Sequence, residues 1–195
     1  KPFKKTLKAF GSAMRMYIHG NSSCEGIIMR ASQEFAMRYP LTEVEGNNGN
    51  IMLSGNWAAA RYTSARLAPI TNNLFRDIEK ETIDEWRDNY DDTEQYPMSL
   101  PSKGFYNIVN GAFGIGVGAA SSIPQFNIVD VNNALIKLLW GEDSFEELYC
   151  PPDFATGGIL LNEAEVKESL KKGTGYACKL RSVIDFDSKE RCLII

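Results

Sequence analysis

The chain has 195 residues, 44% of them hydrophobic, enough to bury a core in one large domain or two modest ones. No apolar run approaches the roughly 20 residues a bilayer span needs, and the basic start KPFKKTLK leads into no signal-peptide core. The net charge of −4 excludes a uniformly basic nucleic-acid binder, and four cysteines without a C-x-x-C pair indicate neither a zinc site nor a disulfide framework, so reduced, cytoplasmic thiols are expected.

The charge is unevenly spread. In residues 1–30, Lys1, Lys4, Lys5, Lys8, Arg15 and Arg30 stand against Glu25 alone. In residues 76–95, nine carboxylates stand against Arg76, Lys80 and Arg87. A basic face and an acidic face follow, and only the first suits phosphate contacts.

Residues 3–16 are predicted to be a helix, because Phe3, Leu7, Phe10 and Met14 recur every three or four positions and leave the lysines to the other face. A turn at His19-Gly20-Asn21 follows, with Ser22 and Ser23 as N-caps of a second helix that runs to about Met37, where Tyr39-Pro40 stops it. Two helices joined by a short glycine-containing turn fit a helix-turn-helix, with the second as recognition helix. Gly46-Asn47-Asn48-Gly49-Asn50 and Gly55-Asn56 predict turns and short strands, as in the wing of a winged-helix domain. A long acidic helix is expected from Ala58 to Asn89, broken near Pro69, followed by a loop over YDDTEQYPMSLPSKG. FYNIVNG is predicted as a strand, and the glycines at 111, 114, 116 and 118 suggest close backbone approach in place of regular packing. Ile123-Pro124 closes that segment, and Val129–Leu139 is predicted as an amphipathic helix. Beyond Pro151 the pattern predicts a short ILL strand, a helix over Glu163–Lys172, a glycine turn, and strands in YACKLRSVIDFD and RCLII.

Within GNWAAARYTSARLAPI, Arg61 and Tyr62 stand side by side behind three alanines. A deprotonated phenol can attack a phosphodiester, and a planar guanidinium can hold the non-bridging oxygens as charge builds on phosphorus. On its own the pair also fits a half-buried core aromatic.

Four sequence blocks carry a wider resemblance. They are Tyr17-Ile18-His19-Gly20-Asn21-Ser22-Ser23; Arg38-Tyr39-Pro40-Leu41 through Gly46-Asn47-Asn48-Gly49 into Ala58-Ala59-Ala60-Arg61-Tyr62-Thr63 and Arg66-Leu67; Asn110-Gly111 through Gly114-Ile115-Gly116-Val117-Gly118 to Ile123-Pro124; and Pro152-Asp153-Phe154-Ala155-Thr156-Gly157-Gly158. In this order, over nearly the whole chain, they resemble the breakage-reunion component of type IIA DNA topoisomerases, the gyrase A protein and its relatives in topoisomerase IV, phages and eukaryotes.

The resemblance implies an α+β chain. A winged-helix (helix-turn-helix, CAP-like) DNA-cleavage domain with the catalytic tyrosine would occupy 1–98, and the start of an α/β tower domain with a DNA-intercalating isoleucine would occupy 99–195. Tyr62 would be the nucleophile, Arg61 the transition-state arginine, and His19 a hydrogen-bond donor to the phosphate or the leaving 3′ oxygen. Ile115 would be the wedge inserted between base steps, and Ser22, Lys5, Lys8, Arg30 and Lys103 would contact DNA. The chain departs from the bacterial His-Pro-His-Gly loop, having the shorter Tyr-Ile-His-Gly. Mg2+ and ATP would be bound by a partner subunit or another part of the enzyme, the magnesium by a TOPRIM module. The partners would be duplex DNA, a second copy in a homodimer, and a gyrase B-like TOPRIM/ATPase subunit, with no membrane, in bacterial or phage-infected host cytoplasm. Neither end matches a family boundary, so the chain is expected to be a core piece of a longer protein. In the bacterial enzymes, fluoroquinolones are anchored through a water-metal bridge to a serine and to an acidic residue four positions later; here Ser22 aligns with the serine but Gly26 stands at the second position, implying weaker drug sensitivity.

Two alternatives come from the residues alone. One is a winged-helix DNA-binding module without catalysis. The other is a dinucleotide site at Gly114–Ala119, which satisfies G-x-G-x-x-A but is opposed by Pro124 in the helix that should follow and by the lack of an acidic residue at the required distance.

Overall fold

The computed structural model describes residues 2–16, 19–78, 80, 82–100, 106–190 and 192–194. The chain divides into two compact units, Lys1–Tyr106 and Asn107–Ile195. Both mix helices with short antiparallel strands.

The first unit opens with strand β1 (Lys4–Lys5), helix α1 (Thr6–Met16) and helix α2 (Asn21–Arg30). After β2 (Thr42–Glu45) and β3 (Ser64–Leu67) come α3 (Pro69–Leu74), β4 (Trp86–Asp88) and β5 (Gln95–Pro97). The first three strands form an antiparallel sheet in the order β1-β3-β2, with Lys5 opposite Ser64 and Val44 opposite Ala65.

Helix α1 starts later than its apolar spacing predicts, at Thr6, because Lys4 and Lys5 pair with β3. That start sets the phase: Thr6 and Phe10 are buried one turn apart, Leu7 is 51% exposed, and Phe3 lies outside the helix under the Arg66 guanidinium. Helix α2 is capped by extended Gly20, whose carbonyl accepts from Ser23 and Cys24, so the two serines lie inside the first turn and are not its caps. It ends at Arg30, short of the expected Met37, where its last carbonyls turn to Ser32 and Gln33 and returning chain claims the carbonyls on either side of them. Ala31 accepts from the amides of Leu41 and Thr42, and the Thr42 hydroxyl donates to Ile28 at 2.8 Å.

The long acidic helix does not form. Ala65 is committed to the sheet, the chain around Ala60 to Thr63 serves the start of α1, and Pro69 sits at the first position of the short α3. Part of the acidic segment, expected as helix and then loop, is the β4-β5 hairpin. Asn89, 4% exposed, organises its turn: its Oδ1 accepts from Thr93 and Glu94, and its Nδ2 donates to the Arg15 carbonyl at 3.0 Å. Arg15 also pairs with Glu94 at 2.5 Å, placing a cation between the end of α1 and the acidic hairpin.

Across the division runs α4 (Tyr106–Val109), a helical turn where a strand was expected. Gly111, at φ +72°, turns the chain into β6 (Ala112–Gly116), and a Cβ there would lie 2.7 Å from the Ile123 carbonyl oxygen. The glycine-rich run is a regular hairpin of β6 with β7 (Ala119–Ile123), not an irregular segment, with Gly118 at φ +74° in its turn. The reason is period: Phe113 and Ile115 alternate with glycine along one strand.

Helix α5 (Ile128–Leu139) follows, its first turn capped by Asn127 accepting from Val129 at 2.9 Å. Then come α6 (Phe145–Leu148), β8 (Ile159–Leu160), α7 (Glu163–Lys172), β9 (Leu180–Arg181), β10 (Asp185–Asp187) and β11 (Cys192–Ile194), with β8 paired to β9 and β10 to β11. Helix α7 has the predicted bounds and ends at left-handed Gly173, while Glu146 ties α6 to it through Lys167 and Lys171. Among the described residues no helix is long and apolar enough to cross a membrane.

Candidate functional site

Arg61 and Tyr62 sit at the outer bend of a loop held on both sides by the first turn of α1. The Thr6 amide donates to the Thr63 carbonyl at 3.2 Å, and the Leu7 amide to the Ala60 carbonyl at 3.3 Å. The hydroxyls of Thr6 and Thr63, both fully buried, meet at 2.8 Å. Ala60 is 5% exposed and packs with Phe10 of α1 and Cys24 of α2. Small, buried residues thus anchor the loop on either side, and the two large side chains between the anchors face solvent.

Tyr62 is 67% exposed. The Arg61 guanidinium carbon lies over its ring, 5.0 Å from the centroid, a cation-π arrangement. Tyr106, Tyr149 and Tyr176 are less exposed. Burial pushes the hydroxyls of Tyr106, Tyr149 and Tyr176 up, Tyr149 to about 12, which keeps them protonated. The Tyr106 hydroxyl also donates to the Tyr39 carbonyl at 2.7 Å.

The first unit brings several sequence-predicted residues to this loop. Lys5 is exposed and pairs with Ser64, two positions after Tyr62; Lys8 is exposed in the first turn of α1. His19 and Ser22 are exposed at the start of α2, which shares the Phe10–Cys24–Ala60 core with the tyrosine loop. Arg30 is exposed at the other end of α2, roughly 12 Å along the axis from Ser22. It therefore meets a different part of any extended ligand. Ile115, 79% exposed, belongs to the second unit, on a hairpin whose Phe113 and Val117 are also exposed. Lys103 lies outside the described residues.

Sequence reasoning missed the Thr6–Thr63 pair and Gln33, whose amide donates to the carbonyls of Asn48 and Ser54 at 2.6 and 2.7 Å. No local pattern signals contacts between residues so far apart in the chain. The G-x-G-x-x-A run is a hairpin and lacks the strand-turn-helix that a dinucleotide needs. Among the described residues no group of three or more His, Cys, Asp or Glu side chains is placed to hold a metal ion.

The whole chain, residues 1–195, matches the family of DNA gyrase and topoisomerase IV A subunits. It is similar to the A subunit of DNA gyrase from Staphylococcus epidermidis (38% identity, covering 97% of this chain and 21% of the relative). It is also similar to the gyrase A subunits of Pseudomonas aeruginosa (39%, 95% and 20%) and Staphylococcus aureus (39%, 95% and 21%). The chain belongs to this gyrase/topoisomerase IV family, and it spans about a fifth of the length of the relatives it matches.

Glu25 is half-buried, one carboxylate oxygen is sealed from solvent with no hydrogen-bond partner, and so it is poorly placed to share a site with exposed Ser22. A Cβ on Gly26 would lie 3.8 Å from the Trp57 ring, an ordinary contact that accepts a side chain. Gly26→Asp in the full-length enzyme is expected to lower the fluoroquinolone concentration for half-maximal cleavage by roughly ten-fold, the worth of one charge-assisted hydrogen bond. An unchanged dose-response curve would show that the drug is held by other contacts.

Proposed function

We propose that this chain is the DNA cleavage and religation core of a type IIA topoisomerase, acting in ATP-dependent strand passage. The observation that carries this is the exposed Arg61-Tyr62 pair on a doubly anchored loop, in a chain of this family. The Tyr62 oxygen, having given up its proton, attacks phosphorus; a tyrosyl O–P bond forms, the P–O3′ bond breaks, and the 3′ oxygen takes up a proton. Religation is the reverse. Arg61 binds the non-bridging oxygens as charge grows, and His19 donates to a phosphate oxygen or the departing 3′ oxygen. The product is a 5′-phosphotyrosine link that keeps hold of the broken end.

The first unit, with α1 and α2 beside the β1-β3-β2 sheet, is read as a winged-helix domain with α2 as recognition helix; α2 with Ser22 and Arg30, together with Lys5 and Lys8, supplies phosphate contacts. The second unit is read as the start of a tower domain whose Ile115 wedges between base steps. Among the described residues no group of three or more His, Cys, Asp or Glu side chains is gathered near Tyr62. Mg2+ and ATP are assigned to a gyrase B-like TOPRIM/ATPase partner, in a cytoplasmic assembly with two copies of this chain on duplex DNA.

Denaturing the complete enzyme during turnover and digesting it should leave labelled DNA on the peptide containing Tyr62. A label on any other residue would overturn the assignment, and no adduct at all would favour a non-catalytic winged helix. The 195-residue chain alone should bind duplex DNA weakly and cut none, since it carries one such tyrosine and the metal is assigned to the partner. Plasmid cleavage by the isolated chain with magnesium would show that it holds metal ligands of its own.

A further inference from the structure

We propose that Gln33 is a positioning residue for cleavage, clasping the 46–58 loop so that α2 and the Arg61-Tyr62 bend keep one relative geometry. The proposal rests on the reading of Tyr62 as nucleophile. The loop begins and ends beside that bend. At its start, Gly46 (φ +107°) lies so close that a Cβ would be 3.1 Å from Thr63 Cγ2 and 3.6 Å from the Tyr62 carbonyl oxygen. At its end, the Ala58 amide donates to the Asn47 carbonyl at 2.9 Å, and three residues on stands Arg61.

The middle of the loop is held from the α2 side. Gln33 follows α2 by three residues, is 1% exposed, and sends its amide nitrogen to Asn48 O at 2.6 Å and Ser54 O at 2.7 Å. Its neighbour Ser32 accepts from Asn48 Nδ2 at 3.1 Å. Two carbonyls that face inward are thereby satisfied by one amide, and the loop has no room to slide: at Gly49 (φ +93°) a Cβ would meet Ser54 O at 2.7 Å and Gln33 Nε2 at 2.8 Å. Loop and α2 therefore move together. A phosphate bound at the start of α2 and the oxygen of Tyr62 then keep a fixed separation, and a misplacement of about 1 Å in such a geometry costs on the order of a hundred-fold in rate.

Gln33→Glu keeps the size but, when ionised, replaces two donated hydrogens with a carboxylate facing two carbonyls; when protonated, it can donate one hydrogen bond. In the full-length enzyme with its partner subunit, Q33E is expected to bind duplex DNA within about two-fold of the parent while forming roughly a hundred-fold less covalent adduct at pH 8. The ratio of its adduct rate to the parent's should recover as the pH is lowered to 6, because the neutral acid restores a donor. A purely structural defect would lower affinity and cleavage together and show no pH-dependent recovery. Gly49→Ala attacks the clasp from the opposite side without altering Gln33, and is expected to show the same split between affinity and cleavage without the pH recovery. Cleavage within two-fold of the parent in both variants, or parallel loss of affinity and cleavage in both, overturns the proposal. Tyr62→Phe run alongside separates the two readings: an adduct in that variant overturns the nucleophile and the clasp's role together, whereas no adduct there with normal cleavage in Q33E and G49A removes only the clasp.

Discussion

Tyr62→Phe in the complete enzyme is expected to lower covalent adduct and strand passage by at least about a thousand-fold while DNA affinity stays within about two-fold. The change removes one oxygen from a ring that is 67% exposed, so neither the fold nor the anchoring of its loop depends on it. The loop is held by backbone carbonyls at Ala60 and Thr63 and by the Thr6–Thr63 hydroxyl pair, none of which belongs to the Tyr62 side chain. The melting temperature should therefore match the parent's, surface changes of this kind being worth about 0.5 kcal/mol or less. Gel-shift affinity and trapping of the adduct in denaturant measure the two effects separately. An adduct recovered from the variant would place the nucleophile elsewhere.

Arg61→Lys should reduce the rate of adduct formation by about 10²- to 10³-fold, although the formal charge is unchanged. Two losses combine. The ammonium cannot present two parallel donors to a phosphate, and the flat group that lies over the Tyr62 ring at 5.0 Å is gone, so the ring loses its orienting neighbour. Because charge is retained, the salt dependence of DNA binding should be the same as in the parent. Arg61→Ala should lower the log-log slope by about 0.9, the signature of one lost phosphate contact. Measuring both variants separates positioning from charge: if Lys restores full cleavage and Ala does not, the arginine acts as a point charge and its planar geometry is irrelevant.

The family of this chain was more legible in its sequence than its local structure. Arg61-Tyr62, the His19-Gly20 turn and the glycine run around Ile115 lie in the blocks that carry the family resemblance, and the roles given to them rest on it. Helices α5 and α7 were also readable, since their apolar spacing, the Asn127 cap and the Gly173 stop all lie within the element itself or directly beside it. The segment from Ala58 to Asn89 was not. Its alanines and acids favour a helix by intrinsic propensity, but the carbonyls of Ala60 and Thr63 are taken by α1 and Ala65 by the sheet, and these partners lie more than 20 residues away. The end of α2 failed for the same reason, the Ala31 carbonyl beyond it being claimed by Leu41 and Thr42.

What the sequence by itself determined is the family and the elements whose start and stop signals are local. Only the tertiary structure decided that Thr6 meets Thr63, that Gln33 spans the loop from Asn48 to Ser54, and that Tyr62 stands in solvent and not in the core. The physical reason is that a propensity of a few tenths of a kcal/mol per residue is overridden wherever a buried backbone group must find a partner, and that partner is chosen by the fold.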